Sequence, residues 1–343
     1  MITDDTLREG LQASGLSFKR NEKLEMAKLL SESGIDSALI SYPSAHISEV
    51  EITRKIVDLR FFKETYALGR TLISDIDKIA DTGANISLHL PFRIDDLTLI
   101  LDSIRYASKK GKKLEVAVVD VMKYEEEKLI KLCEGIVSAG ADALQLPDTT
   151  GTAIPEKYGN IVSSVRKKLK DVELEIHCHN DSGMSLANSI AGLEAGADRV
   201  DTTVYGIGER NGITDQLSLL HYLNSRGYQT KISGEKLRKV YDHLLNLILQ
   251  KVGPEFFIEN FPVVGRNVAT HTAGTHAAFS DTFSGLNFSF NVYTGRSMLR
   301  KLLESRSIYI TEEELSRIVE RIKDESVEEG RSLKADDILK MVG

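Results

Sequence analysis

Two histidines one residue apart, His177 and His179, close a β-type run at 174–178 and are followed by Asn180 and Asp181. Strand geometry puts both imidazoles on one face and sends Cys178 to the other. Two imidazoles on one face are a natural pair of ligands for a divalent metal, best completed by a carboxylate. A bare His-x-His also reads as two ordinary polar residues at a strand end. Asn180 and Asp181 shift that balance, because they can anchor the ligands from behind. Near the N-terminus stands Thr6-Leu7-Arg8-Glu9-Gly10. Arg8 suits holding a substrate carboxylate or polarising a carbonyl, and Glu9 suits ligating the metal; the plainer alternative is a solvated ion pair.

Three further stretches carry chemistry-bearing residues. Asp148-Thr149-Thr150-Gly151 follows another β-type run, and Gly206-Ile207-Gly208-Glu209-Arg210-Asn211-Gly212 follows the last one. Glycines in such a loop can bring backbone N–H groups close to an anion, although a tight turn or a helix start explains them equally well. His271-Thr272-Ala273-Gly274-Thr275-His276 lies further on. Its histidines fit a lid that reaches back with an acid or base, or a plain surface loop.

These residues need a scaffold, and the patterning supplies one. Segments 35–40, 61–68, 86–90, 114–119, 143–146, 174–178 and 199–204 read as strands. Stretches such as 21–33, 72–82, 125–139, 155–169 and 185–195 carry apolar residues at helical spacing. Several helices end in a glycine followed at once by a strand, as at Gly34, Gly83, Gly140 and Gly196. With residues 1–5 as a short first strand, eight βα units fit within residues 1–228. Eight alternating units, with no dinucleotide-binding fingerprint after any strand, predict a (β/α)8 TIM barrel of the α/β class. In that fold the strand ends form one rim; the motifs within residues 1–228 fall on it, while 271–276 lies beyond the barrel. Residues 229–291 then read as a linker and lid-like subdomain, and 292–343 as a small helical subdomain with helices at 298–303, 312–326 and 335–341, after a helix at 237–252.

Composition narrows the function class. A formal net charge of −7 argues against a nucleic-acid surface. No long apolar run predicts a membrane span, and the acidic start lacks a signal segment. Two cysteines, Cys133 and Cys178, make no disulfide framework and fit a reducing cytoplasm.

Taken together, the motifs resemble those of the 2-isopropylmalate synthase, homocitrate synthase and HMG-CoA lyase superfamily. Residues 4–12 resemble its opening signature, 177–181 its metal-binding strand, 200–212 its last strand and loop, and 271–276 its post-barrel histidine motif. Glu9 after Arg8, the loop from Gly206 to Thr214, and Ala273-Gly274 lean towards lysine-pathway homocitrate synthases. The resemblance implies that Glu9, His177 and His179 hold Zn²⁺, Mn²⁺ or Mg²⁺, and that Arg8 stabilises the developing alkoxide. It implies that Thr149 binds the carboxylate of a 2-oxo acid, with 2-oxoglutarate the first choice, and that His276 helps remove a proton from acetyl-CoA. It further implies a cytoplasmic homodimer whose post-barrel segments are exchanged. A carbon–carbon lyase on the same scaffold, or a non-catalytic paralogue, are the alternatives.

The chain also departs from the family pattern. Strand three has Tyr66 in Thr65-Tyr66-Ala67-Leu68-Gly69-Arg70 where homocitrate synthases usually have a histidine, and strand five has Val119 before Asp120 where a glutamate is common. Tyr66 and Arg70 are therefore expected to shape the oxo-acid pocket, with Val119 and Thr149 beside them.

Overall fold

The structure is a computed structural model that describes residues 1–271 and 287–342. Strands β1 (Ile2–Asp4), β2 (Ser37–Leu39), β3 (Glu64–Arg70), β4 (Asn85–His89), β5 (Leu114–Ala117), β6 (Ala143–Asp148), β7 (Glu173–Cys178) and β8 (Arg199–Thr202) form one closed parallel barrel. β1 is short, yet it is held from both sides: Thr3 pairs with Ser37 of β2 and with Asp201 of β8. That double pairing explains how three residues suffice to close the ring. Between the strands run α1 (Arg20–Glu32), α2 (Ile47–Leu59), α3 (Ile73–Thr82), α4 (Leu97–Ser108), α5 (Glu126–Ser138), α6 (Pro155–Lys168) and α7 (Ser185–Glu194), and α8 (Gln216–Ser225) follows β8. Their ends carry the expected chemistry. Asp96 caps α4 by accepting from the Thr98 and Leu99 amides, and Pro155 opens α6. Gly83 and Gly140 leave α3 and the turn after α5 with φ of 85° and 106°, a region open to glycine.

Outward-facing strand residues such as Ile86, Leu88, Leu144, Ile176 and Val200 are buried and join the helices in the main apolar core. The inward face is polar. Near the strand starts the buried Arg199 guanidinium meets Glu64 at 3.2 Å, Glu173 at 2.8 Å and Glu175 at 2.6 Å, and also pairs with Glu115. Tyr66 belongs to this layer and corrects the expectation placed on it. Its hydroxyl meets Glu64 at 3.0 Å and Arg199 at 3.1 Å, and its ring lies 5.1 Å from the Arg199 guanidinium. Alternation along β3 puts Tyr66, Leu68 and Arg70 on the inward face at successive heights, so Leu68 and Arg70 reach the rim and Tyr66 stays below it.

Beyond the barrel, α9 (Gly234–Lys251) buries Leu237, Val240, Leu244 and Ile248 against the barrel core. A short helix, α10 (Phe256–Glu259), and a two-stranded pair, β9 (Thr270–His271) with β10 (Asn287–Phe288), lead to α11 (Arg296–Ser305), α12 (Glu312–Glu329) and α13 (Ala335–Val342). The last three helices share their own apolar core, including Leu299, Leu303, Val319 and Ile322. This unit is sewn to the loop after β1. Asn291 Nδ2 donates to the Leu11 carbonyl at 2.6 Å, the Ser332 hydroxyl donates to the Leu16 carbonyl at 3.0 Å, and Leu16 bridges Arg331. Among the described residues, no helix is long and apolar enough to cross a membrane.

Candidate active site

β7 delivers the histidine pair as the alternation requires. His177 and His179 are both buried, with their Nε2 atoms 3.3 Å apart. His177 Nδ1 lies 3.0 Å from Asp201 Oδ2 of β8, and the same oxygen accepts from Gln145 Nε2 of β6 at 2.7 Å. With Nδ1 donating to that carboxylate, Nε2 keeps its lone pair. Burial pushes His177 down to about 4, with the Glu9 carboxylate opposing the shift and the Arg8 cation assisting it. The imidazole is therefore neutral near pH 7.

Glu9 arrives from the opposite side, in a single 3₁₀ turn after β1. One oxygen each from Glu9 and one nitrogen each from His177 and His179 all lie within 4.8 Å of one another. Nitrogens 3.3 Å apart match neighbouring ligands of one ion, since metal–nitrogen bonds of about 2.1 Å imply a separation of roughly 3 to 3.4 Å. The donor set, two neutral imidazoles and a carboxylate, thus fits a divalent cation. Arg8 stands beside it. Its guanidinium forks onto Asp5, with Nε at 3.0 Å, and Nη1 reaches Glu9 Oε2 at 2.6 Å.

The glycine loop after β8 serves an anion, and that anion is the protein's own carboxylate. The Glu209 amide donates to Glu9 Oε1 at 2.8 Å, and a Cβ on Gly208 would sit 2.7 Å from the same oxygen. Glycine at 208 is what lets the loop come this close. Gly206 turns at φ 62°, and its carbonyl would lie 1.8 Å from a Cβ on Gly212. Arg210 binds both oxygens of Asp181 at 2.7 and 2.9 Å and donates to the Thr149 carbonyl at 2.7 Å, tying the ends of β6, β7 and β8 together. Asn180 accepts from the Ser185 hydroxyl at 2.9 Å at the start of α7, and Asn211 Nδ2 donates to the carbonyls of Asn260 and Phe261.

Above the metal-ligand set opens a cavity of about 590 Å³. Arg8, Glu9, His177 and His179 form one side and Leu68, Ala117 and Val119 an apolar wall; Thr149, Arg70, Gln145, His89 and Tyr293 also line the cavity, with Arg296, Arg300 and Glu312 at the C-terminal helices. Thr149 is buried, and its hydroxyl accepts from the Asp120 amide at 2.9 Å. Arg70 reaches the rim but is held by Asp75 through bonds of 2.8 and 2.9 Å. Of the predicted residues, Tyr66 is absent from this lining and His276 lies outside the described residues. Gln145, Tyr293 and His89 belong to none of the motifs, and Asp201, within the last-strand motif, had no role assigned to it. Alternation from Arg199 could have pointed to Asp201; nothing local to the sequence marks Gln145 or Tyr293.

The profile of the HMGL-like family matches residues 1–244. The chain belongs to the HMGL-like family. The 2-isopropylmalate synthase of Sulfolobus acidocaldarius is 31% identical over 350 residues, spanning 94% of this chain and 89% of that protein. The 2-isopropylmalate synthase of Sulfurisphaera tokodaii is likewise 31% identical, over 98% of this chain and 92% of that protein. Among solved structures, the HMG-CoA lyase of Bacillus subtilis superposes with a TM-score of 0.65 at 18% identity, covering 78% of this chain and 96% of that one. The carboxyl transferase domain of Rhizobium etli pyruvate carboxylase gives 0.63 at 15% identity, over 76% of this chain and 51% of that one. These two likenesses show a shared barrel. As in other barrels of this kind, the candidate site sits at the C-terminal ends of the strands.

Proposed function

We propose that the chain is an acyltransferase that condenses acetyl-CoA with a 2-oxo acid at a divalent-metal site. The observation that carries this reading is the buried triad Glu9, His177 and His179, with Arg8 beside it and an open cavity above. The names of the two relatives given above agree with it. When bound, a Zn²⁺, Mn²⁺ or Mg²⁺ ion acts as a Lewis acid towards the 2-oxo carbonyl. Arg8 then faces the oxygen on which negative charge develops, and Thr149 holds the oxo-acid carboxylate. The loop 206–212, pinned by Arg210 and Asp181, keeps Glu9 in place on the CoA side. Loss of a methyl proton from acetyl-CoA yields an enolate whose carbon attacks the carbonyl; His276 is the sequence-derived choice to take that proton. Thioester hydrolysis by water releases CoA.

The finer choice of oxo acid turns on the cavity wall. The motifs lean towards 2-oxoglutarate and homocitrate, of lysine biosynthesis. Leu68, Ala117 and Val119 instead suit a short apolar chain, and Arg70 on that side is already neutralised by Asp75. The wall therefore favours 3-methyl-2-oxobutanoate, whose condensation gives 2-isopropylmalate in leucine biosynthesis. The same reading keeps a cytoplasmic homodimer, for which the exposed Ile258, Phe261, Val263 and Val264 offer an apolar patch.

The test follows free thiol when the protein, acetyl-CoA and a divalent metal meet a panel of 2-oxo acids. Release with at least one oxo acid is expected, and silence with all of them overturns the proposal. His179→Ala should lose the bound ion and all turnover; undiminished metal content in that variant would remove the metal assignment.

A further inference from the structure

Arg8, Arg70, Arg296 and Arg300 all line the cavity above the metal-ligand set, and carboxylates already answer three of them. Arg8 forks onto Asp5 and reaches Glu9. Arg70 is held by Asp75 at 2.8 Å, and Arg300 by Glu312 at 2.6 Å. Arg296 makes no hydrogen bond or ion pair among the described residues. It opens α11 one helical turn before Arg300, so the two side chains share a face of that helix. The backbone just before it is fixed from within the site. Tyr293 is buried in the lining; its hydroxyl donates to Glu49 Oε2 at 3.1 Å and its amide to Asn291 Oδ1 at 2.8 Å. These bonds hold the start of α11 at the edge of the cavity.

Exposure distinguishes the two ends of that cavity. Arg8, Glu9, His177 and His179 are buried, whereas Arg296 and Arg300 are exposed, so the metal-ligand set is its floor and α11 stands at its mouth. The chain carries a formal net charge of −7, which repels anions at long range. An uncompensated guanidinium at the mouth reverses that locally. Its planar fork also matches two oxygens of a phosphate or a carboxylate.

We propose that Arg296 binds the oxyanion that a substrate carries at its end remote from the metal, an inference that rests on the condensation reading above. Acetyl-CoA has such groups in its phosphates, and a dicarboxylic 2-oxo acid has one in its second carboxylate. On that reading the carboxylate and carbonyl next to the reacting carbon are engaged by Thr149, Arg8 and the metal. The side chain of the oxo acid then meets Leu68, Ala117 and Val119, which call for no charge. A phosphate of acetyl-CoA is therefore the expected source. Its long pantetheine arm lets the thioester reach the floor while the phosphates stay at the mouth. No bond is made or broken at Arg296, which acts in binding alone. The C-terminal helices thereby take part in capturing a substrate, besides bracing the loop after β1.

The experiment compares wild type, Arg296→Gln and Arg296→Lys, each loaded with a divalent metal. Calorimetric titration with CoA gives affinity without turnover. Kinetics give kcat and KM for acetyl-CoA, for S-acetylpantetheine, which lacks the phosphates, and for each oxo acid turned over. Arg296→Gln should weaken CoA binding and raise KM for acetyl-CoA by roughly tenfold, with kcat, metal content and the urea midpoint close to wild type. Its KM for S-acetylpantetheine should match that of wild type. Arg296→Lys keeps the charge and should recover most of the affinity, and added salt should narrow the gap between wild type and Arg296→Gln. If CoA binding is intact and KM rises for a dicarboxylic oxo acid but not for 3-methyl-2-oxobutanoate, the anchor stands and the oxyanion it holds is the carboxylate. Unchanged affinity of Arg296→Gln for CoA and for every oxo acid overturns the inference and leaves a solvated surface arginine. An equal rise in KM for S-acetylpantetheine also overturns it, because a loss that needs no phosphate is structural. A wild type that binds CoA yet releases no thiol with any oxo acid fails the condensation reading alone, and the calorimetry still decides the role of Arg296.

Discussion

Asp201 acts on the site through an imidazole. Its Oδ2 meets His177 Nδ1 at 3.0 Å, which fixes the tautomer and ring plane of a metal ligand. Asp201→Asn keeps the shape, yet it removes the charge and can present an N–H where an acceptor is needed. We expect metal affinity to fall by roughly 10- to 100-fold, read by competition with a chelator while the circular dichroism spectrum stays that of wild type. Asp4, on β1, makes a pH-dependent contribution of a different kind. Burial pushes it up to about 7, against hydrogen bonds from Thr6 and Gln216. A carboxyl raised in the folded state stabilises fully below its unfolded value near 3.8, and this contribution is lost as pH rises towards 7. Asp4→Asn should therefore lose less stability than wild type between pH 4 and 7. The difference between the two proteins, measured by urea unfolding across that range, grows by about 1.4 kcal/mol for each pH unit in the window.

At the scale of elements, β7 matters most because it carries both histidines. α7 packs directly behind it at Gly192, where an added Cβ would lie 2.7 Å from Ile176 Cδ1 and 3.1 Å from the Tyr158 ring. Tyr158 is itself anchored by its hydroxyl to the Leu146 carbonyl. Gly192→Ala should therefore cost about 1–3 kcal/mol of stability, seen as a lower urea midpoint with an unchanged slope. This close approach also marks what sequence can and cannot tell. Glycine-closed helices and alternating strands were legible, because each depends on neighbours within a few residues. The eight-fold alternation identified the barrel, and His177, His179, Glu9 and Arg8 appeared on one rim by counting. Tyr66 was misplaced because height within the barrel depends on strand tilt and register across the whole ring, not on local spacing. His89 went unnoticed for the same reason: a lone histidine at a strand end acquires meaning only from the cavity that the other strand ends build around it. The glycine loop left an anion cradle, a tight turn and a helix start equally open in the sequence, and only the fold shows the Glu209 amide donating to Glu9.

For the molecule as a whole, the polar barrel interior is the unusual structural commitment. Arg199 is 1% exposed and serves four carboxylates, Glu64, Glu115, Glu173 and Glu175, from three different strands, β3, β5 and β7. Its positive charge offsets a concentration of negative charge that the apolar helices outside cannot solvate. Arg199→Met should destabilise the protein by about 3–5 kcal/mol, because buried carboxylates are left without their partner. The unfolding midpoint in urea checks this. Pairing that change with Glu115→Gln and Glu175→Gln should recover part of the loss.

The loop after β1 has one more implication, for anyone who would move this chemistry to another protein. Arg8 and Glu9 occupy its first turn, while Leu11 and Leu16 a few residues later anchor the C-terminal helices. A graft that copies only the strand tips would carry the reactive side chains without the surface that clamps their backbone. The smallest transplantable unit is therefore discontinuous, and it includes part of the C-terminal half of the chain.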